Sequence, residues 1–343
     1  MSKTNAGYFF EDYAVGQTFH HGPLRTVGEG ERALYQALYP TRFAVHMSDP
    51  TAQAIGLKRA PLDDMIVFHK VFGATVPDIS LNAVANLGYA DVRWLQPVYP
   101  GDSLGARTQV IGLKQNSNGK TGIVWVRTVG VNSMGEDVLS LIRWVMVRKR
   151  DENAPPPDPV VPDLPQVVPA EDLVVPRALN FENYGESGVR APHRLGDYAV
   201  GEVIDHVDGV TMEDAEHMMA TRLWQNTAKV HYDITARPQG QRLIYGGHII
   251  SMARALSFNG LESAEFMVAI NGGAHVNPCV AGDTVRAWSE VLDTAETSTP
   301  GVGALRLRLV ATKGGEAGAL FGADQHYLPD VLLDLDCWVL MPL

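Results

Sequence analysis

The chain has 343 residues, 45% of them hydrophobic and 20% charged, which is too long for one small core and predicts two domains of ordinary size. A formal net charge of -11 argues against nucleic acid or an anionic membrane surface as a partner, because both select basic faces, and an acidic ligand would need a local basic pocket. The two cysteines, Cys279 and Cys337, have no C-x-x-C or paired-histidine spacing, so neither a disulfide framework nor a zinc site is expected and free thiols in a reducing cytoplasm fit best. The N-terminal stretch has no apolar core before its acidic residues, and no uncharged run approaches a membrane helix in length, so the expectation is a soluble, cytoplasmic protein.

Taken in order, the chain repeats itself. Asp12-Tyr13-Ala14-Val15-Gly16 returns as Asp197-Tyr198-Ala199-Val200-Gly201, 185 positions on, and His46 and His231 stand at the same spacing. Each block precedes a strand-like run and then an amphipathic segment, 29–39 in the first copy and 212–223 in the second. A second, apolar helix follows (65–73 and 248–258), and then strands to the end. In the first copy the late strands are clear from alternation and β-branched content over 103–113, 122–131 and 138–147, with Asn118-Gly119 marking a hairpin turn between the first two. Gly119-Lys120-Thr121 is no phosphate loop, because Lys114 stands where that motif needs a glycine. Pro97 with Gly101-Asp102 matches Pro278 with Gly282-Asp283, and Arg143 to Val147 matches Cys337 to Met341. The repeated Gly-Asp reads as a turn that starts a strand.

The boundaries follow: a first unit over 1–150, a linker over 151–176 and a second unit over 177–343. The linker holds eight of the 21 prolines, so it is a semi-rigid connector laid over the surface, long enough to let the two copies align their sheets. An apolar helix wrapped by strands, made twice, is an α+β plan.

A helix with a polar residue and a histidine, a glycine-started central helix and then P-x-x-x-G-D together resemble the hot-dog fold of the MaoC-like hydratases. Their G-D-x-N-P-I-H-like motif falls on Gln225 to His231. Over essentially the whole chain, and most specifically over 77–102, 221–233 and 243–261, the sequence is similar to the mesaconyl-CoA hydratase (β-methylmalyl-CoA dehydratase) family within that group. The resemblance implies a double hot-dog and the reversible addition of water to an unsaturated acyl-CoA thioester, mesaconyl-CoA giving β-methylmalyl-CoA. It implies no metal and no redox cofactor, CoA being part of the substrate. Paired hot-dog units associate through sheet edges, so a homo-oligomer is expected.

Hydration beside a thioester needs a base for water, an acid for the α-carbon and donors for the enolate oxygen. His231 is the base candidate, since imidazole can accept and return a proton near neutral pH. Asn226 stands where the wider pattern has aspartate, and an amide can orient but cannot take up a proton. Either His231 shuttles the proton alone or another carboxylate helps, Asp233 being the nearest in sequence. Gly246 and Gly247, just before the apolar helix, offer free N–H groups to an oxyanion. In the first copy Thr41 replaces Asn226, and Pro61-Leu62-Asp63-Asp64 replaces the glycine pair, so His46 is read as structural and the first copy as a degenerate unit lining the pocket. A distal carboxylate would need a cation, and Arg222, Lys229 and Arg242 flank the site. Three alternatives stay open: hydration of simple enoyl-CoA chains, a hot-dog thioesterase, and an acyl-CoA binding protein without catalysis.

Overall fold

The computed structural model describes residues 3–187, 191–237 and 240–343. The first copy runs β1 (Thr18–Thr26), α1 (Glu29–Leu38), α2 (Asp49–Ala54), α3 (Asp64–Thr75), β2 (Ala83–Trp94), β3 (Ser103–Gln115), β4 (Thr121–Asn132) and β5 (Asp137–Arg148). The second repeats the order as β6 (Val203–Thr211), α4 (Asp214–Trp224), α5 (Lys229–Tyr232), α6 (Gly246–Leu256), β7 (Phe266–His275), β8 (Thr284–Glu296), β9 (Val302–Thr312) and β10 (Val331–Pro342).

All ten strands form one antiparallel sheet in the order β1-β3-β4-β5-β2-β7-β10-β9-β8-β6. The order reads the same from either end, copy for copy, as the internal repeat requires. Sequence reasoning expected two aligned sheets. The two halves instead fuse where β2 pairs with β7, Tyr89 opposite Gly273 and Val92 opposite Ile270. Strand β2 had no clear alternation to announce it, yet it carries the fusion.

The central helices α3 and α6 are buried on nearly every side, each wrapped by its own half of the sheet, which is why their sequences are apolar all round. Val71 and Phe72 of α3 and Ile250 and Met252 of α6 belong to one continuous core that runs through both copies. This is the double hot-dog arrangement. The proline-rich segment straddles the halves as an extended strap: Val160 bridges to Leu113 of β3, while Val168 bonds to Asn271 of β7 and accepts from Trp338 of β10. The Asn118-Gly119 turn is a hairpin between β3 and β4, with Gly119 at φ +68.

One close approach fixes how the copies meet. A Cβ on Gly73 in α3 would lie 1.8 Å from the carbonyl oxygen of Trp224, the last residue of α4, so α3 of the first copy and α4 of the second touch backbone to backbone. His69, one turn earlier, stacks on the Trp224 ring with centroids 4.8 Å apart. Gly73→Ala is therefore expected to destabilise the protein by roughly 2 kcal/mol or more, since the obstacle is backbone and cannot swing aside. Gly30→Ala in α1, where the added methyl meets nothing within 4 Å, should stabilise by about 0.5–1 kcal/mol. Urea unfolding midpoints of the two variants check both signs.

Candidate active site

The site is assembled where α4 stops. Gln225 takes the left-handed conformation at φ 57 and caps the helix, its N–H donating to the Arg222 and Thr221 carbonyls. Asn226 and His231 were expected on one helix. The left-handed turn separates them, leaving Asn226 in a loop and His231 on the short helix α5. The turn drives Asn226 inward to 2% exposure. Its side-chain oxygen accepts weakly from the Ala228 N–H at 3.4 Å, and its amide nitrogen has no protein acceptor among the described residues.

His231 donates from Nδ1 to the Leu243 carbonyl at 2.8 Å. A carbonyl can only accept, so the proton sits on Nδ1 and Nε2 keeps its lone pair, with no protein partner among the described residues, on a residue that lines the cavity at the junction of the copies. Burial holds this imidazole down to about 4, although the Leu243 bond favours the protonated form, and the Arg237 charge lowers it further. At neutral pH it is therefore a base with a free lone pair.

Gly246 and Gly247 are the first two residues of α6 rather than its approach. The N-cap residue, Tyr245, offers no side-chain cap, and its own N–H is taken by His217 Nε2 at 2.9 Å. The Gly246 and Gly247 N–H groups have no acceptor among the described residues and stand at the positive end of the helix. Close packing demands both glycines: a Cβ would lie 2.5 Å from the His275 ring at Gly246 and 2.4 Å from the Tyr245 ring at Gly247.

Asn226, His231 and Gly246 open on one cavity of about 210 Å³ at the junction of the copies, while Gly247 is buried and is not part of its wall. Asn226, His231, Gly246 and His275 come from the second copy, and Phe72, Asn86, Tyr89 and Arg143 close it from the first. Tyr89 and His275 Nε2 join across the seam at 3.0 Å. No aspartate or glutamate is among the described residues of its wall.

The other sequence candidates lie outside it. Asp233 is exposed and caps the turn at 234–236, accepting from the Thr235 N–H and hydroxyl at 2.9 and 2.7 Å. Those bonds hold its carboxyl below the usual range. Arg222 and Lys229 are exposed, being helix-end charges on a solvated surface, and Arg242 is ion-paired with Asp214. None of the four reaches the cavity wall. Arg143, Tyr89 and His275 were missed because they lie on strands far from the motif, and His217 because it acts from α4, just before the motif, by accepting from the Tyr245 N–H rather than by lining the cavity. A charged residue inside an otherwise apolar strand was the available signal for Arg143.

The first copy has the same scaffold with the site closed. Aligned on their N-caps, Asp64 and Met65 take the places of Gly246 and Gly247, so the first copy's Pro61-Leu62 pair precedes the equivalent positions. Asp63 caps the Met65 N–H at 2.9 Å, the donor that Gly247 leaves free. His46 lies 3.6 Å from Asp64 and donates from Nε2 to the Glu265 carbonyl at 3.1 Å. Burial alone would lower its pKa, but Asp64, Asp63 and Glu265 outweigh burial and raise it to about 9. The matching cavity shrinks to about 20 Å³ between Pro61, Trp94, Phe266 and Val268. His46 is thus a buried imidazole bonded to the Glu265 backbone carbonyl beside the Asp64 carboxylate, an environment that favours its protonated form.

A neutral histidine, an amide and unused helix-start N–H groups around an apolar junction cavity, on a double hot-dog, define a hydratase of the MaoC type. A family model for mesaconyl-CoA hydratase matches residues 2–324. The chain is 66% identical to a mesaconyl-CoA hydratase from Cereibacter sphaeroides over 99% of both chains, and 56% identical to a β-methylmalyl-CoA dehydratase from Chloroflexus aurantiacus over 99% of both. Among solved structures, a MaoC domain protein dehydratase from Chloroflexus aurantiacus superposes with a TM-score of 0.97 at 55% identity, covering 100% of this chain and 99% of that one. The chain belongs to the mesaconyl-CoA hydratase family.

The two histidines predict opposite pH behaviour. A pKa raised above the unfolded value, as at His46, gives stability that is fully present below about 6.5 and is lost as pH rises through about 9. A depressed pKa, as at His231, costs stability as pH falls from about 6.5 toward 4. His46→Gln should therefore be less stable than wild type by a few kcal/mol at pH 6, with the gap narrowing toward pH 9. Denaturant midpoints of the two proteins across that range measure it.

Proposed function

We propose that the chain hydrates mesaconyl-CoA reversibly to β-methylmalyl-CoA at the junction cavity, with His231 as its single proton-transfer group. The observation that carries this reading is the hydrogen bonding of His231: Nδ1 is committed to Leu243, leaving an unprotonated and unpartnered Nε2 on a residue that lines a cavity whose described wall holds no carboxylate. Nε2 takes a proton from water, and the hydroxide adds to the β-carbon. Electrons of the double bond move to the thioester oxygen, where the Gly246 N–H on the cavity wall and the positive end of α6, to which the Gly247 N–H adds, hold the enolate. The proton now on Nε2 is then delivered to the α-carbon, which returns His231 to neutral. Asn226 holds the water through its amide, a role that needs orientation and no proton uptake.

All these steps use groups of the chain, so the reading calls on no metal or redox cofactor. The second unit carries the chemistry and the first, with its donor capped and its cavity filled, supplies a wall of the pocket. The outer strands β1 and β6 lie at the two edges of the sheet, which supports association of copies through those edges. Two buried free thiols fit a reducing compartment.

His231→Ala should lower kcat for mesaconyl-CoA hydration ~10²–10⁴-fold while acyl-CoA binding is retained. Loss of the conjugated thioester absorbance follows the rate, and an unchanged rate refutes the assignment. With the imidazole held near 4, wild-type kcat/KM should be flat from pH 6 to 8 and fall in acid.

A further inference from the structure

Arg143 of β5 is 1% exposed and stands on the wall of the junction cavity. A buried guanidinium is ordinarily paired with a carboxylate. Arg143 has none within ion-pair distance among the described residues. Its partners are the Thr75 hydroxyl at 2.8 Å, the Ser80 hydroxyl at 3.5 Å and the Asn86 side-chain oxygen at 3.4 Å, all neutral. Three bonds leave two of the five guanidinium N–H groups unused, the Nε–H among them. The side-chain N–H₂ of Asn86, on the same wall, is also buried without an acceptor.

Among the described residues the surroundings supply no hidden counter-charge. Asp78, near the same end of α3, gives its carboxylate to His21 Nδ1 at 2.7 Å. The ionisable groups that act on Arg143 are the phenols Tyr89, Tyr245 and Tyr13, and burial pushes all three up, so they stay neutral. Burial lowers Arg143 only to about 10, so it remains a cation at neutral pH. The Phe72 ring lies 4.1 Å from the guanidinium carbon and fixes the plane of the group. In the second copy, Cys337 occupies the matching strand position, so the arginine belongs to the junction cavity and has no counterpart in the repeat.

We propose that Arg143, with the Asn86 amide beside it, binds the distal carboxylate of a dicarboxylic acyl-CoA and so selects this substrate over simple enoyl-CoA chains. The inference rests on the hydratase reading of the same cavity and replaces Arg222, Lys229 and Arg242 in that role. In mesaconyl-CoA the carboxylate is attached to the β-carbon that water attacks. A cation there holds the substrate by the carbon adjoining the reacting one, within one wall of the cavity.

The test is the ratio of dissociation constants for two saturated thioesters that cannot react, methylsuccinyl-CoA and butyryl-CoA, measured by calorimetry on the full chain. Wild type should prefer the dicarboxylate by at least ~100-fold, and Arg143→Gln should abolish most of that preference. The thermal midpoint of the variant should equal or exceed that of wild type, because an uncompensated buried charge has been removed. A variant with the wild-type ratio, or a wild type without preference, overturns the proposal. Should the glutamine variant not fold, Arg143→Lys keeps the charge and loses the planar fork. Its ratio should fall at least ~10-fold, and an unchanged one overturns the proposal. Wild type that binds with this preference yet does not hydrate mesaconyl-CoA leaves the arginine assignment standing and removes the reaction. Hydration by a wild type without the preference does the reverse.

Discussion

The pairing of β2 with β7 is the constraint on which the rest depends. It joins two half-sheets into one and brings Tyr89 and Ala90 opposite Gly273 and Gly272. The seam sets the first copy's β2 and β5 beside the second copy's α5 and the start of α6. The cavity exists only because these surfaces face each other, so neither copy alone could enclose it. The small residues on β7 have a packing reason: a Cβ on Gly273 would come within 2.6 Å of Leu335 and 3.4 Å of Tyr89.

Duplication would be expected to give two such cavities, and two similar places are indeed present. Their divergence is electrostatic and concerns the same few positions. In the first copy Asp63 fills the helix-start donor and Asp64 charges the histidine, so the lone pair and the oxyanion site disappear together. In the second copy Tyr245 offers no cap and no carboxylate approaches among the described residues, so both persist. A buried salt-linked network is a way to use those positions for holding the fold together once chemistry is gone. The cost of leaving donors unsatisfied, of order 1–3 kcal/mol each, is then borne only where a ligand meets them.

Much of this was legible in the sequence. The repeat, the central helices and the late strands follow from spacing and residue chemistry, because local patterns report local structure, and the motif resemblance pointed to Asn226 and His231, which line the same cavity. What failed depends on geometry that sequence order does not carry. The left-handed turn at Gln225 took Asn226 off the helix, and a three-residue shift put Asp64 and Met65, rather than Pro61 and Leu62, opposite the glycines. Arg222, Lys229 and Arg242 are near the motif along the chain yet point to solvent or to Asp214, while Arg143 arrives from another unit on a strand. Proximity in sequence is a poor guide to the wall of a cavity built between copies.

The central claim is that one histidine, on one side of the double bond, both removes and returns the proton. Its geometry has a stereochemical consequence, since a group that activates water and then protonates the α-carbon must deliver hydroxyl and hydrogen to the same face. The relative configuration of the β-methylmalyl-CoA formed from mesaconyl-CoA, read by NMR, is the direct measurement. Syn addition to the trans double bond gives the erythro diastereomer, and the account predicts that product. A threo product would mean that a second group on the opposite face supplies the proton, which contradicts the single-base account.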